Sequence, residues 1–189
     1  WSSVACSNDG TFIIATESQG NPWKVDSNGD LQEDTTIGST KNWSDVACSS
    51  DGTYAVLSVE DGNIWIYDIQ NQAGVYGEIT TITSTQKWSA VACSEDFTFI
   101  VGVVDGGHIW VYSSSSWSEV SSSSSIGSSR KWMDVCCSSD GSKVAAIVDD
   151  GRVWMSYDKG ASWSMESSIS QNYKWRCITC SDAFELLAA

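Results

Sequence analysis

The chain has 189 residues, a net charge of −14, eleven tryptophans, seven cysteines and one proline, and 41% of it is hydrophobic. That composition supports a packed core and excludes a disordered chain. The acidic balance excludes a nucleic-acid binder, which needs a basic patch to neutralise phosphates, and no run approaches the length of a membrane span.

From the first residue the chain repeats itself. "WSSVACSNDG" at residue 1 returns as "WSDVACSSDG" at 43, "WSAVACSEDF" at 88, "WMDVCCSSDG" at 132 and "WRCITCSDAF" at 175. Internal periodicity of this length is settled before anything else is read. It divides the chain into repeats 1–42, 43–87, 88–131 and 132–174 and a partial fifth, 175–189, all within a single domain. Trp1 falls on a repeat boundary, which reads as the start of a mature chain or of the observed part of a longer one.

Within each repeat the first predicted strand carries the leading tryptophan and, five residues on, a cysteine: Trp1 and Cys6, Trp43 and Cys48, Trp88 and Cys93, Trp132 and Cys137, Trp175 and Cys180. Apolar or small residues on both faces, as in Val4-Ala5-Cys6, suit a strand covered on both sides. The repeat cysteines read as small buried apolar residues. Asp-Gly pairs at 9–10, 51–52 and 140–141 then signal a hairpin turn. An apolar second strand follows ("TFIIA", "TYAVLS", "FTFIVGVV", "KVAAIV"), and after a second turn a third strand ("NIWIYD", "HIWVYS", "RVWMSY"). Its tryptophan (Trp23, Trp65, Trp110, Trp154) lies 22 positions after the leading one, with a glycine three before it. The fourth strand is polar and irregular, and all length variation falls there, as expected of an outer edge. Lys41, Lys87, Lys131 and Lys174 close the repeats and read as solvated strand ends.

Repeated groups of four antiparallel strands are the signature of a β-propeller. The expectation is therefore an all-β propeller of four-stranded blades, about 43 residues each, with four whole repeats and two strands of a fifth. The partial fifth repeat implies a ring that is incomplete or completed by another chain, so protein partners or copies of itself are expected there.

The turn after the third strand of the fourth repeat reads "SYDKGASW", with Ser156, Asp158, Gly160 and Trp163 matching S-x-D-x-G-x-x-W at every defined position. With the surrounding repeats it resembles the Asp-box (BNR-type) propellers of sialidases and sortilin-like receptors. The resemblance implies a structural box, with Asp158 forming the turn. The three arginines, Arg130, Arg152 and Arg176, occupy different positions in their repeats and do not reproduce the sialidase substrate clamp.

The remaining residues with chemistry are few. Asp26, Asn28 and Asp30, with Glu33 and Asp34 nearby, cluster oxygen ligands as a calcium loop does, without the central glycine of an EF-hand. Calcium is the one cofactor these residues suggest. Seven cysteines argue against a full disulfide framework. The two outside the repeat frame, Cys136 and Cys177, are candidates to bridge repeats four and five, Cys136 with either Cys177 or Cys180. Asn42-Trp43-Ser44 is a glycosylation sequon, and the serine-rich stretch 113–129 offers hydroxyls for O-glycans. His108 is the single histidine and reads as a surface or satisfied polar group. The expected function is a non-catalytic extracellular or cell-surface scaffold or interaction module, within a larger or polymeric assembly. The alternatives are a glycan-binding lectin, with Trp117 and Trp163 stacking on sugars, and a fragment of a glycoside hydrolase.

Overall fold

A computed structural model describes the chain except residues 26–27, 69–74, 83, 121–125 and 127, and the side chains of Val75 and Tyr76. The described residues form strands and turns. None of their helices is long and apolar enough to cross a membrane.

The first repeat holds β1 (Ser3–Cys6), β2 (Ile13–Thr16), β3 (Ser18–Gly20), β4 (Trp23–Val25) and β5 (Leu31–Glu33). The second holds β6 (Lys41–Cys48), β7 (Tyr54–Val59), β8 (Ile64–Asp68) and β9 (Val75–Glu78). The third holds β10 (Trp88–Cys93), β11 (Ile100–Gly107), β12 (Ile109–Ser113) and β13 (Ser116–Glu119). The fourth holds β14 (Arg130–Cys137), β15 (Val144–Val148), β16 (Val153–Ser156) and β17 (Ser164–Met165). The last residues form β18 (Thr179–Cys180) and β19 (Leu187–Ala188). The chain resolves into two compact units, Trp1–Trp88 and Ser89–Ala189.

The all-β expectation holds, but the propeller does not. The strands do not form a ring of equal four-stranded blades. They join in sheets of four (β1-β2-β4-β5), five (β3-β6-β7-β8-β9), eight (β13-β12-β11-β14-β15-β16-β17, with β10 on β11) and two (β18-β19). The physical reason lies at the repeat junctions. β6 and β14 begin before their tryptophans and pair backward with the preceding repeat, Gly20 opposite Lys41 and Gly107 opposite Arg130. Those ladders draw one strand of the first repeat into the second and merge the third and fourth into one sheet. Lys41 and Lys131, read as solvated strand ends, are thus partners in these junctions.

The hairpin between the first two strands has a fixed chemistry. In the fourth repeat the Ser138 hydroxyl donates to Asp140 Oδ1 at 2.6 Å and accepts the Lys143 N–H at 3.0 Å, while Asp140 Oδ1 takes the Ser142 N–H at 2.9 Å. The same bonds recur on Ser7 and Asp9, Ser49 and Asp51, and Ser94 and Asp96. A carboxylate that collects donors this way organises its own turn. The next residue has left-handed backbone: Gly10, Gly52 and Gly141 at φ 69°, 68° and 68°, and Phe97 and Phe184 at 58° and 59° in the repeats that lack the glycine.

Side chains alternate along the strands, so within each unit the repeats pack face to face. In the first unit Ile14 lies in one cluster with Trp43, Val46, Ala55 and Leu57. In the second, Val101 and Val103 meet Val135 and Ala146, and Ala145, Ile147 and Val153 meet Ile178 and Phe184. Burying each such side chain contributes about 1.5–3 kcal/mol. The leading tryptophans lock onto the repeat before them: the indole N–H groups of Trp43, Trp88 and Trp175 donate to the carbonyls of Gly20, Gly62 and Gly151 at 3.1, 3.2 and 3.0 Å. A Cβ at Gly62 or Gly151 would lie 2.6 or 2.8 Å from the valine three residues earlier, which is why glycine recurs there.

Candidate functional site

The predicted site residues separate once placed in the fold. Trp43, Trp88 and Trp132 are core residues at 1% exposure, and Trp175 is half-buried. Trp1 departs from the expected repeat core: it is 74% exposed, with its ring edge on Trp23 at 5.8 Å. Val4 is 67% exposed, whereas Val46, Val135 and Ile178 at the same position are buried against the repeat before them. The repeat cysteines are also more open than expected: Cys6 is exposed and Cys48, Cys93, Cys137 and Cys180 are half-buried.

The 156–163 turn is closed on itself. Ser156 Oγ donates to Asp158 Oδ1 at 2.8 Å and accepts the Gly160 N–H at 2.9 Å. The Ser162 N–H and hydroxyl satisfy Asp158 Oδ1 and Oδ2 at 2.8 and 2.6 Å, and these bonds hold the Asp158 carboxyl below its ordinary value. Gly160 has φ 79°, and its carbonyl accepts the Trp163 indole N–H at 2.9 Å. Both carboxylate oxygens are therefore committed to the turn. Trp163 is 3% exposed, packed with Val111 and Val120, so its ring is not open to a sugar. Trp117 is half-buried and tilted against Tyr112 at 5.5 Å.

The candidate calcium ligands are not shown as a set. Asp26 lies outside the described residues, and Asn28 and Asp30 are exposed and have partners of their own. Their neighbours serve the fold: Glu33 accepts the Asn21 amide at 2.9 Å, and buried Asp34 pairs with Lys24 Nζ at 2.7 Å. Lys24 also reaches the Tyr67 hydroxyl at 2.6 Å. Among the described residues no group of three His, Cys, Asp or Glu side chains is placed to hold a metal ion.

The other candidates are likewise engaged. Asn42 Nδ2, the atom a glycan would take, donates to Glu60 Oε2 at 2.7 Å. Of the serine-rich stretch, 121–125 and 127 lie outside the described residues. Arg152 binds the Ile169 and Ser170 carbonyls, and Arg130 binds the Ile126 carbonyl and lies over Trp154 at 4.5 Å. His108 Nε2 is 3.7 Å from Glu119.

Two features converge at the end of the second unit. The first is a pair of thiols. The structure brings Cys180, not Cys177, beside Cys136: both side chains pack against the cluster of Ile147, Ile178 and Phe184, and the Cys180 thiol donates to the Cys137 carbonyl at 3.1 Å. Cys177 is exposed, and all seven cysteines are free. The contact with Cys180, reinforced by burial, raises Cys136, and the contact with Cys136 lowers Cys180. Burial pushes Cys137 up to about 12. Beside them Asp134 accepts the Ile178 N–H at 2.7 Å and the Val135 N–H at 2.8 Å, with burial raising its carboxyl.

The second is a groove of about 390 Å³ lined mainly by Val153, Met155, Ile169, Trp175, Ile178 and Leu187. In the four longer repeats the second strand is flanked by a third: β2 by β4, β7 by β8, β11 by β12, β15 by β16. Among the described residues β19 pairs with β18 alone. Sequence reasoning placed a partner at the fifth repeat but could not locate this groove, which is built from residues 153–189.

Comparison with models of known protein families found no match, and comparison with curated proteins found none either. The resemblance to Asp-box propellers is therefore not sustained: neither a family match nor the strand pairing supports it. With it falls the function that rested on that architecture, a propeller scaffold with a propeller lectin or glycosidase as alternatives.

Proposed function

We propose that this chain is a non-catalytic all-β interaction module that receives an extended strand of a protein partner on the open edge of β19. The observation that carries the reading is the apolar groove beside that edge. Strand addition joins main-chain hydrogen bonds along an edge with pockets for alternate side chains; the β19 edge and the single groove beside it support this reading. The partner's chemistry follows from the chain's own third strands, whose buried residues at this position are Ile64, Ile109 and Val153. A strand with β-branched residues alternating with polar or aromatic ones fits the groove. Leu186 and Leu187, 74% and 40% exposed, add apolar surface next to it.

The test uses a labelled peptide of residues 107–113, "GHIWVYS", titrated with the whole chain and followed by fluorescence anisotropy. Saturable binding is expected, weakened tenfold or more by N-methylation of alternate peptide amides, since each lost edge bond is worth about 0.5–1.5 kcal/mol. Leu187→Asp weakens it similarly by charging the groove rim. Equal binding of the N-methylated peptide, or no saturable binding, rejects strand addition.

A further inference from the structure

We propose that Cys136 and Cys180 form a reversible disulfide site, oxidised by a low-molecular-weight disulfide, that staples the terminal sheet to β14. This rests on the placement of the thiols and is independent of what occupies the groove.

The repeats show that the pair is a local departure. The position of Cys136 is alanine in the first three repeats, Ala5, Ala47 and Ala92. It becomes cysteine in the one repeat that packs against the two-stranded sheet β18-β19. Across that contact lies the repeat cysteine Cys180. Together they put two thiols against one buried cluster, on the packed strands β14 and β18. The location suits a staple. A two-stranded sheet is marginal by itself, and residues 175–189 are held by the packing of Ile178 and Phe184 and by a few hydrogen bonds, such as that from the Ile178 N–H to Asp134. Both cysteines are half-buried rather than sealed in the core, so a small disulfide can reach them.

The chemistry balances. Cys180, the thiol that its neighbour Cys136 lowers, releases its proton to solvent, gives up its bond to the Cys137 carbonyl, and attacks one sulfur of the small disulfide as the thiolate. A mixed disulfide forms on Cys180 and one small thiol leaves. Cys136 then gives up its proton and attacks the Cys180 sulfur, expelling the second small thiol. Two protein thiols are oxidised and one disulfide is reduced to two thiols. Cys137, raised by burial, and Cys177, on the exposed side, take no part.

The experiment equilibrates the whole chain with glutathione disulfide and glutathione at several ratios, blocks free thiols with a maleimide, and counts and maps the protected cysteines by mass spectrometry. Two of the seven thiols are expected to disappear together, and reduction restores them. The loss persists in Cys137→Ala and Cys177→Ser and is abolished in Cys136→Ala and Cys180→Ala. Cys136→Ala carries the residue of the other repeats, so it is compatible with the fold, and its circular dichroism confirms that. Oxidation that survives Cys136→Ala, a link through Cys177 or Cys137, or seven thiols remaining free at every ratio overturns the proposal.

Discussion

Replacing Ser138 by alanine tests whether the Ser-Asp hairpin holds the repeats together. Ser138 is 3% exposed, and its hydroxyl has two partners that alanine cannot serve, the Asp140 carboxylate at 2.6 Å and the Lys143 N–H at 3.0 Å. A hydrogen bond to a charged group is worth about 1.5–3 kcal/mol. Because the Asp140 side chain faces solvent, the lower end applies, about 1.5 kcal/mol. Leaving the Lys143 N–H without its acceptor adds about 1 kcal/mol. The total of about 2–3 kcal/mol corresponds to a fall in Tm of roughly 4–12 °C for a chain of this size. The fifth repeat supplies the control. There alanine (Ala183) replaces the aspartate, and Ser181 Oγ only accepts the Glu185 and Leu186 N–H groups at 3.1 Å on the exposed side. Ser181→Ala should therefore cost about 1 kcal/mol or less. Urea unfolding followed by tryptophan fluorescence measures both. The bonds from Ser138 and Ser142 lower Asp140 from 3.8 to about 2. Its contribution is present above the unfolded value and is lost as pH falls through the folded one. The gap between wild type and Ser138→Ala should narrow over that window. Equal losses in the two variants, or a gap indifferent to pH, would refute the reasoning.

Other expectations follow from the same geometry. Overall stability should decline as pH falls from about 4 to about 2, because hydrogen bonds in their turns lower Asp9, Asp51, Asp96, Asp140 and Asp158 together; an acid titration by circular dichroism reads this. Asp134 runs the other way, since burial raises it, so Asp134→Asn should lose less stability at neutral pH than at pH about 3. Gly160→Ala should destabilise by about 1–3 kcal/mol, from the left-handed φ of 79° and a Cβ placed 2.9 Å from Val111 Cγ1, measured by thermal unfolding. Trp43→Ala should cost about 3–5 kcal/mol, whereas Trp1→Ala, at an exposed position, should cost under about 0.5 kcal/mol; differential scanning calorimetry separates the two.

Much of this protein was legible from spacing. The five-residue step from tryptophan to cysteine, the Asp-Gly turns and the two apolar strands after them located most of the first three strands of each repeat, because strand alternation and turn chemistry are local. The serine two residues before each hairpin aspartate went unread in the sequence although it stands in the same repeated phrase, and the structure shows its hydroxyl at the centre of the turn network. Asp158 as a turn-former was likewise readable from "SYDKGASW", whose Ser, Gly and Trp each meet it or one another within eight residues.

What the order of residues could not convey was pairing between segments far apart. Nothing local in "TKNWSDV" or "SRKWMDV" says that the residues before the tryptophan pair backward, yet those ladders decide that the sheets have four, five, eight and two strands rather than equal blades. The reach of Lys24 to the Tyr67 hydroxyl, the choice of Cys180 over Cys177 and the groove beside β19 have the same origin. By itself, the sequence determined which residues form strands and turns, because those depend on neighbours along the chain. Only the tertiary structure decided which strand edges are paired, which tryptophans are covered and which thiols meet, because those depend on what packs between segments some twenty to forty residues apart.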